Sequence, residues 1–297
     1  MPVKLTYWAD IEHGITTATR ATFTLEHRSA AGGGSIRASM IAGSGRRYFV
    51  KVNAASRASM FAAEAAALSE LARAGAVRVP QLICHGANAE ASWIVLEHIE
   101  LARRSRSTDA ILGAQLAQLH RHSGDVYGWT RDNTIGSTPQ PNLPSSDWPA
   151  FWREQRLGFQ LTLARENGYG GRLQTEGERL LERVPTFFAS YTPQPSLLHG
   201  DLWSGNAAAD ENGAPVIFDP ALYYGDREAD IAMTELFGGY SLAFYDAYGA
   251  AYPLDAGYAA RKNLYNLYHV LNHLNLFGGS YLRQAEQMID SLLAHVS

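Results

Sequence analysis

The first hundred residues contain two different periodicities of apolar side chains. In residues 59–74, apolar side chains recur at the helical spacing of Phe61, Ala65, Leu68 and Leu71, which predicts a helix. Around it, alternating or short apolar segments lie between glycine-containing turns and predict strands. We expect five strands in this part of the chain: residues 23–27, 35–42, 47–52, 77–85 and 92–98.

From about residue 100 the helical period dominates. Leucines recur at helical spacing in residues 109–122, and Pro185 is expected to kink or end a helix at residues 172–190. Residues 133–146, rich in Pro, Asn and Ser, predict a loop. Further helices are predicted at residues 147–167, 226–250 and 257–295, and short strands at residues 196–198, 207–209 and 215–218, with a hairpin turn at residues 210–213.

The whole pattern predicts an α+β fold with two lobes. Residues 1–99 combine an antiparallel sheet with one helix, and residues 100–297 form a larger, mainly helical lobe. Five strands and one helix in this order are typical of the small lobe of a protein-kinase-like fold. We therefore expect the nucleotide site in the first lobe, and the catalytic loop and acceptor site in the second.

Composition and charge narrow the range of functions. The 297 residues are 46% hydrophobic and 18% charged, which is typical of a globular protein. A net charge of -4 argues against coating nucleic acid or an anionic membrane. The only short basic run, Arg103, Arg104 and Arg106, is predicted to lie in a solvated loop. The single cysteine excludes an intramolecular disulfide, and no segment resembles a signal peptide or a membrane span, so we expect a cytoplasmic protein.

Residues 199–206, His-Gly-Asp-Leu-Trp-Ser-Gly-Asn, carry the clearest chemical signal. Asp201 and Asn206 lie five residues apart, the interval between the corresponding residues of a protein-kinase catalytic loop. Asp219 ends the next apolar run. Phosphoryl transfer from ATP needs a carboxylate that takes the acceptor's proton, and further oxygen ligands that hold Mg²⁺. We therefore predict that Asp201 is the general base and that Asn206 and Asp219 bind Mg²⁺.

Lys51 is the candidate for binding the ATP phosphates. The chain has only three lysines, and Lys51 lies inside an apolar strand, on the face of Phe49. A kinase lysine in this position pairs with a carboxylate of the following helix. Glu64 is the best candidate because it is the first acidic residue after Lys51, and Glu70 is the alternative.

Other residues are expected to support these groups. The glycine-rich run could approach the phosphates through its backbone, and the end of the fifth strand would form an interlobe hinge that binds adenine. His199 is expected to orient the catalytic loop and Asp230 to accept hydrogen bonds from its backbone. A metal hydrolase built on His199 and Asp201 is disfavoured, because we expect no histidine pair or His/Asp cluster beside them. The expected nucleotide contacts are Gly33, Gly34, Ser35, Glu97, His98 and Ile99.

Several segments together resemble the fructosamine kinase (ketosamine-3-kinase) family. These are relatives of aminoglycoside and choline kinases with a protein-kinase-like fold. The resemblance covers nearly the whole chain and is most specific in four segments: residues 49–53, 148–157, 198–206 and 218–228. Aminoglycoside kinases share the bare His-Gly-Asp skeleton but not Trp203 or the Asp-Pro-Ala run that begins at Asp219.

The resemblance implies ATP-dependent phosphorylation of the 3-hydroxyl of a ketosamine, the adduct of a sugar and an amine. The phosphorylated adduct is unstable and releases the amine, which is a repair reaction. Trp203, Trp152 and Arg156 would then contact the sugar, with packing in the core as the alternative for each. Some relatives carry a redox-sensitive cysteine where this chain has Ser35, so we expect no disulfide-linked regulation from that site.

Two other functions remain open at this stage. One is a kinase for another hydroxylated amine, such as an aminoglycoside or choline. The other is a catalytically silent nucleotide-binding or scaffold protein, although such proteins usually lack one of the lysine, base or metal residues. The sequence leaves open whether the acceptor is a free amine, an amino acid or a protein, and which sugar is preferred. We expect a monomer, without a nucleic-acid or membrane partner.

Overall fold

The structure of the protein is a computed structural model that describes residues 7–31 and 37–296. Its N-terminal part contains a five-stranded antiparallel sheet with the strand order β1-β2-β3-β5-β4. Pairing between these strands satisfies the backbone hydrogen bonds of the alternating segments. The strands are β1 (His27–Ala30), β2 (Arg37–Gly43), β3 (Arg46–Ala54), β4 (Leu82–Ala87) and β5 (Ala91–Glu97).

Two helices, α1 (Tyr7–Thr19) and α2 (Ala58–Ala74), pack on the sheet. Side chains alternate across β3, so Tyr48 and Val50 pack with Ile11 of α1 in one apolar cluster. The intervening residues of β3 point to the opposite face, which borders the interlobe cleft. The sheet can therefore hold a charged side chain at a fixed depth beside that cleft.

The expectation of only one helix in residues 1–99 is wrong, because α1 is a second one. Its buried side chains Tyr7, Ile11 and Ile15 recur every four residues. This spacing is a helical signal in the sequence that the strand-centred interpretation overlooked. The helix α1 covers the face of the sheet that points away from the cleft.

The strands β1 and β4 begin later than residues 23 and 77, where the pattern predicts them. The ring of Phe23 packs 5.3 Å from that of Tyr48, and its N–H donates to Thr16 Oγ1 instead of to a neighbouring strand. Before β4, Pro80 has no N–H with which to continue a strand ladder. Both segments are thus apolar because they pack in the core, although they form no regular strand.

The C-terminal part is built from eight α-helices among the described residues. The helix α9 is central: its buried side chains lie on all sides, and it packs against α5, α7 and α10. The helices are α3 (Arg106–Leu119), α4 (Trp148–Trp152), α5 (Phe159–Glu166), α6 (Arg172–Arg183), α7 (Glu228–Leu236), α8 (Leu242–Ala251), α9 (Tyr258–Phe277) and α10 (Leu282–His295). Together with the sheet, they form the predicted α+β, protein-kinase-like fold.

Three long predicted helices are each divided in the structure. A π-helical segment, Arg153–Gly158, separates α4 from α5. Glycines with positive φ end the other two: Gly238 and Gly239 lie between α7 and α8, and Gly278 follows α9. Such backbone is available to glycine at little cost, and it stops a right-handed helix. The helix α6 ends just before Pro185, as predicted.

Short strand pairs carry the loops that face the cleft. They are β6 (Asn133–Ile135) with β7 (Thr138–Gln140), β8 (Ser196–Leu198) with β11 (Tyr223–Gly225), and β9 (Ala207–Ala209) with β10 (Pro215–Ile217). The sequence predicts β8, β9 and β10, the last with one residue too many, but β6 and β7 lie in a predicted loop. The strand β11 is absent from the prediction because it is short and its partners, β8 and Gly128, are distant in sequence.

Within residues 7–31 and 37–296, no helix is both long and apolar enough to cross a bilayer. The lobe boundary near residue 100, the monomeric state and the cytoplasmic location stay predictions from the sequence.

Candidate active site

The segment that follows β8 is fixed by backbone contacts to the segment that follows β10. The N–H of Ala221 donates to the carbonyl of His199 at 2.9 Å, and that of Phe218 donates to the carbonyl of Asn206 at 3.1 Å. Gly200 has a φ of 82°, and a Cβ there would lie 2.1 Å from the carbonyl oxygen of Ala221. Only glycine fits this close approach. The two segments are therefore held together as one unit.

Asp230, at the start of α7, holds this unit through hydrogen bonds from the unit's backbone. Its carboxylate accepts the N–H groups of His199 at 2.7 Å and Gly200 at 2.8 Å, and it lies 3.2 Å from Nε2 of His120. Burial alone would raise the pKa of Asp230, but His120 and these backbone donors outweigh burial and lower it. Asp230 therefore stays ionised and fixes the backbone just before Asp201.

His199 joins the loop to the residue before Asp219. Its Nδ1 accepts the N–H of Asp201 at 3.3 Å, and its Nε2 lies 3.0 Å from the carbonyl oxygen of Phe218. A carbonyl can only accept, so Nε2 carries the proton and the imidazole is neutral. Burial, which lowers the pKa of His199, agrees with this state. The geometry thus gives His199 an orienting role.

Asp201 and Asn206 contact each other directly. The Asn206 amide donates to the carbonyl of Asp201 at 2.9 Å and to its Oδ2 at 3.1 Å. Burial, with a further contribution from the charge of Asp219, raises the pKa of Asp201 to about 7. A general base is most effective when its pKa lies near the working pH. The arrangement therefore provides an oriented carboxylate of suitable basicity.

Lys51 lies between two carboxylates. Its Nζ is 2.6 Å from Glu64 Oε1 and 2.6 Å from Asp219 Oδ1. Burial opposes the charge of Lys51, but the two carboxylates outweigh burial and raise its pKa. Asp219 has a φ of 59°, which is uncommon for a residue other than glycine and places its carboxylate in the cleft.

Glu70, the alternative partner of Lys51, has a different role. Its carboxylate accepts the Trp129 indole N–H at 2.9 Å and the Tyr224 hydroxyl at 2.8 Å. Both donors belong to the helical lobe. Glu70 therefore ties α2 to that lobe, while Glu64, on the same helix, contacts Lys51.

The oxygen groups in the cleft fit a hard divalent cation. Among the residues that the structure describes, no group of three or more His, Cys, Asp or Glu forms a metal cluster. Mg²⁺ does not require one, since it commonly takes one or two protein oxygens and completes its shell with phosphate and water. The Asp219 side chain is 47% exposed and shares a cavity with Asn206. These two are the residues that could hold the ion.

A second, mainly apolar cavity adjoins the first and shares Asp219 with it. The side chain of Glu97 is engaged by Arg78 at 2.7 Å and by the N–H of Gln81 at 3.1 Å, and its own N–H donates to the carbonyl of Gln81 at 2.8 Å. Gly33, Gly34 and Ser35 lie outside the described residues, and their contact with phosphates stays a prediction. The cavity is lined by Met40, Phe49, Pro80, Leu96, Glu97, His98, Ile99, Leu101, Phe218 and Asp219.

A third cavity, called here the acceptor cavity, opens on the other side of Asp201 and measures about 380 Å³. Trp203, 40% exposed, forms part of its wall beside Asp201. Asp201 thus lines both this cavity and the one that contains Lys51. The remaining lining residues are Ile135, Gly136, Met233, Phe237, His269, Asn272, His273, Leu276 and Phe277.

The sequence model of the family described as fructosamine kinase matches residues 7–295. The chain belongs to the fructosamine kinase family. A candidate ketoamine kinase of Synechocystis sp. is 45% identical over 288 residues, which cover 96% of this chain and 97% of that protein. A chloroplastic protein-ribulosamine 3-kinase of Arabidopsis thaliana is 41% identical, covering 95% and 87% of the two chains.

Solved structures with a similar fold include a protein named as a candidate fructosamine-3-kinase and other phosphotransferases. A candidate fructosamine-3-kinase from Haemophilus somnus superposes with a TM-score of 0.90 at 31% identity, covering 96% of this chain and 97% of that one. An aminoglycoside-3'-phosphotransferase of type VIII has a TM-score of 0.53 at 20% identity, covering 86% and 98%. The second likeness supports the fold alone. As a member of a kinase family, the protein is an ATP-using phosphotransferase.

For two of the three predicted sugar contacts, the structure has the alternative arrangement, packing in the core. Trp152 is fully buried, with its ring 4.8 Å from that of Tyr265. Arg156 is also fully buried and donates to the carbonyl of Pro141 at 2.6 Å and to Asn142 Oδ1 at 2.7 Å. Both side chains follow the inward face of the helical segment from α4 to α5, and neither lines the acceptor cavity. Of the three predicted sugar contacts, only Trp203 lies there.

Arg104 corrects the prediction of a solvated basic loop. Its side chain is only 8% exposed and its Nε pairs with Asp109 at 2.8 Å. The guanidinium also donates to the carbonyls of Ser204 at 3.0 Å, Ala207 at 2.6 Å and Gly239 at 2.7 Å. Two of these carbonyls flank Asn206. Nothing in the local sequence separates Arg104 from the exposed Arg103, since the carbonyls that accept from it lie 100 or more residues away.

We expect the Arg104→Met variant to bind Mg²⁺ more weakly, because the backbone on both sides of Asn206 loses its clamp. Its free energy of unfolding should fall by about 1–3 kcal/mol, since Asp109 loses a charged partner. The apparent KM for Mg²⁺ and urea unfolding measure the two effects. Arg103→Met is the matched control and should change neither. An unchanged KM for Mg²⁺ in Arg104→Met would contradict the positioning role.

Proposed function

We propose that the protein uses ATP and Mg²⁺ to phosphorylate the 3-hydroxyl group of ketosamines. The main support is the position of Asp201, which lines both the cavity with Lys51 and the acceptor cavity. A hydroxyl group bound beside Trp203 would thus lie next to Asp201. Asp201 also borders the cavity in which the phosphates would bind. Relatives named as a ketoamine kinase and a protein-ribulosamine 3-kinase support the same class of acceptor.

In the proposed mechanism, Asp201 takes the proton of the acceptor hydroxyl through its Oδ1, because Oδ2 receives the Asn206 amide. Lys51, held by Glu64, binds phosphate oxygens without further reorganisation. When bound by Asn206 and Asp219, Mg²⁺ supplies positive charge that neutralises the phosphates. Backbone groups of Glu97, His98 and Ile99 hydrogen-bond the adenine, except the N–H of Glu97, which donates to Gln81. The apolar cavity excludes water from the adenine ring.

The chemistry of the acceptor cavity favours a ketosamine over an aminoglycoside. Asp201 is the only carboxylate among its lining residues in the described chain. An aminoglycoside carries several positive charges and needs more acidic partners. Choline is the second candidate, because the exposed rings of Trp203, Phe237 and Phe277 are a surface that binds ammonium groups. The single ammonium group of a ketosamine can use the same rings.

The test is Mg²⁺-dependent ADP release with four acceptors: a fructosamine, a ribulosamine, an aminoglycoside and choline. We expect turnover of the two ketosamines, and loss of that turnover when EDTA removes the metal. Selective turnover of choline or the aminoglycoside would replace the proposed acceptor. Nucleotide binding without ADP release on any acceptor would favour a catalytically silent protein.

A further inference from the structure

Two histidines on the wall of the acceptor cavity differ from the buried His120 and His199 in having no hydrogen-bond partners within the described part of the chain. His269 and His273 lie one turn apart on α9, and both line the cavity. His269 is 5% exposed, and in residues 7–31 and 37–296 neither imidazole has a hydrogen-bond partner. By contrast, both ring nitrogens of His120 and of His199 have partners.

This pair also corrects the expectation that no His-x-x-x-His pair accompanies His199 and Asp201, because it shares the acceptor cavity with Asp201. It has the His-x-x-x-His spacing of metal sites, but the described part of the chain contains no third ligand that would complete one. Burial lowers the pKa of His269 to about 3 and also lowers that of His273. Both rings are therefore neutral at physiological pH, each with one N–H donor and one nitrogen acceptor.

Nδ1 of His273 is buried without a partner among the described residues, and such a group costs free energy, which a suitable ligand would recover. A hydroxyl group suits a neutral imidazole, because it can donate to one nitrogen or accept from the other. The ring of His273 is held by Phe237 and Phe277, with ring centroids 5.2 Å and 5.4 Å away. The wall is therefore a fixed surface for a neutral, hydroxylated ligand.

The positions of these groups suggest how a ketosamine lies in the cavity. Asp201 receives the 3-hydroxyl, so the C1 amine and the C4–C6 hydroxyls extend in opposite directions from it. The exposed rings of Phe237 and Phe277 suit the amine and its substituent. We propose that His269 binds one of the hydroxyls on C4–C6 and thereby selects the sugar; this inference rests on the proposed ketosamine kinase function.

The first test is the His269→Phe variant, which keeps a flat ring and removes both nitrogens. We expect the KM for the ketosamine to rise about tenfold, the effect of one lost hydrogen bond, with the KM for ATP unchanged. His269→Asn retains a donor and an acceptor and should show a smaller rise. It also provides the measurement if the Phe variant folds poorly. His122→Phe, at an exposed histidine, is the matched control and should behave like wild type.

The deciding test uses three ketosamines that lack the hydroxyl on C4, C5 or C6. In wild type, one of them should lose about tenfold in kcat/KM, whereas His269→Phe should show no penalty for that same analogue. If the variant is penalised as much as wild type on all three, His269 does not bind a hydroxyl. If wild type fails on the parent ketosamine as well, the proposed function is what fails, so the two errors are distinguishable.

Discussion

Replacing Asp201 with asparagine is expected to slow phosphoryl transfer by about 10²–10⁴-fold and to leave nucleotide affinity close to that of wild type. Asparagine has the same shape and can still bond with Asn206, but it cannot accept the proton of the acceptor hydroxyl. Single-turnover ADP release and calorimetric ATP binding measure the two properties separately. Full activity in this variant would exclude Asp201 as the base, and loss of ATP binding would point to a damaged cleft.

The same variant has a second readout, in the stability of the protein without metal or nucleotide. Burial raises the pKa of Asp201 from its ordinary 3.8 to about 7. The native state therefore holds a proton that the unfolded chain has already released. This contribution to stability is complete below pH 4 and is lost as the pH rises through 7. Asparagine cannot ionise, so in EDTA the variant's Tm should exceed that of wild type by more at pH 8 than at pH 5. An equal difference at both values would mean that Asp201 titrates normally.

The sequence locates the candidate catalytic groups well where they belong to one short segment. Asp201 and Asn206 lie in one loop, so their spacing in sequence nearly determines their distance in space. Alternation along β3 likewise predicts that Lys51 points away from Tyr48 and Val50, and the structure has this arrangement. The alternation is reliable here because successive side chains of a strand point to opposite faces of the sheet. Once one face is buried, the side of every residue is determined.

Long-range packing accounts for what the sequence could not predict. Arg104 is buried because carbonyls from distant segments surround it, and no local pattern records them. Trp152 and Arg156 belong to a sequence segment that is specific to the family. Residues can be specific to a family because they pack in its core, and not only because they bind its substrate. The histidines on α9 had a visible signal, their spacing of four residues, yet only the fold shows that they face the acceptor cavity.

Contacts between the lobes determine where Glu64 lies. The helix α2 is tied through Glu70 to Trp129 and Tyr224 of the helical lobe. Glu64 occurs earlier on the same helix and contacts Lys51, which in turn contacts Asp219. The contacts therefore connect the helical lobe, through α2 and Lys51, to Asp219, the candidate metal ligand. Removing Lys51 should affect both activity and folding.

We expect Lys51→Met to reduce kcat/KM by at least about 10²-fold, because a preorganised positive charge on the phosphates is lost. It should also lower the free energy of unfolding by about 3–5 kcal/mol, because Glu64, whose side chain is 12% exposed, is left without its charged partner. Lys262→Met is the matched control. Its ion pair with Glu235 is about one-third exposed, so its loss should cost no more than about 1 kcal/mol.

The double variant Lys51→Met with Glu64→Leu separates the two effects. Removing both charges leaves no buried carboxylate without a partner, so most of the lost stability should return, as measured by urea unfolding. Activity should not return, because the phosphates still lack their lysine. If activity recovers with stability, Lys51 serves folding alone. If stability does not recover, the loss of stability in Lys51→Met comes from Asp219, which has also lost its lysine partner. Adding Asp219→Asn to the double variant would then restore the stability.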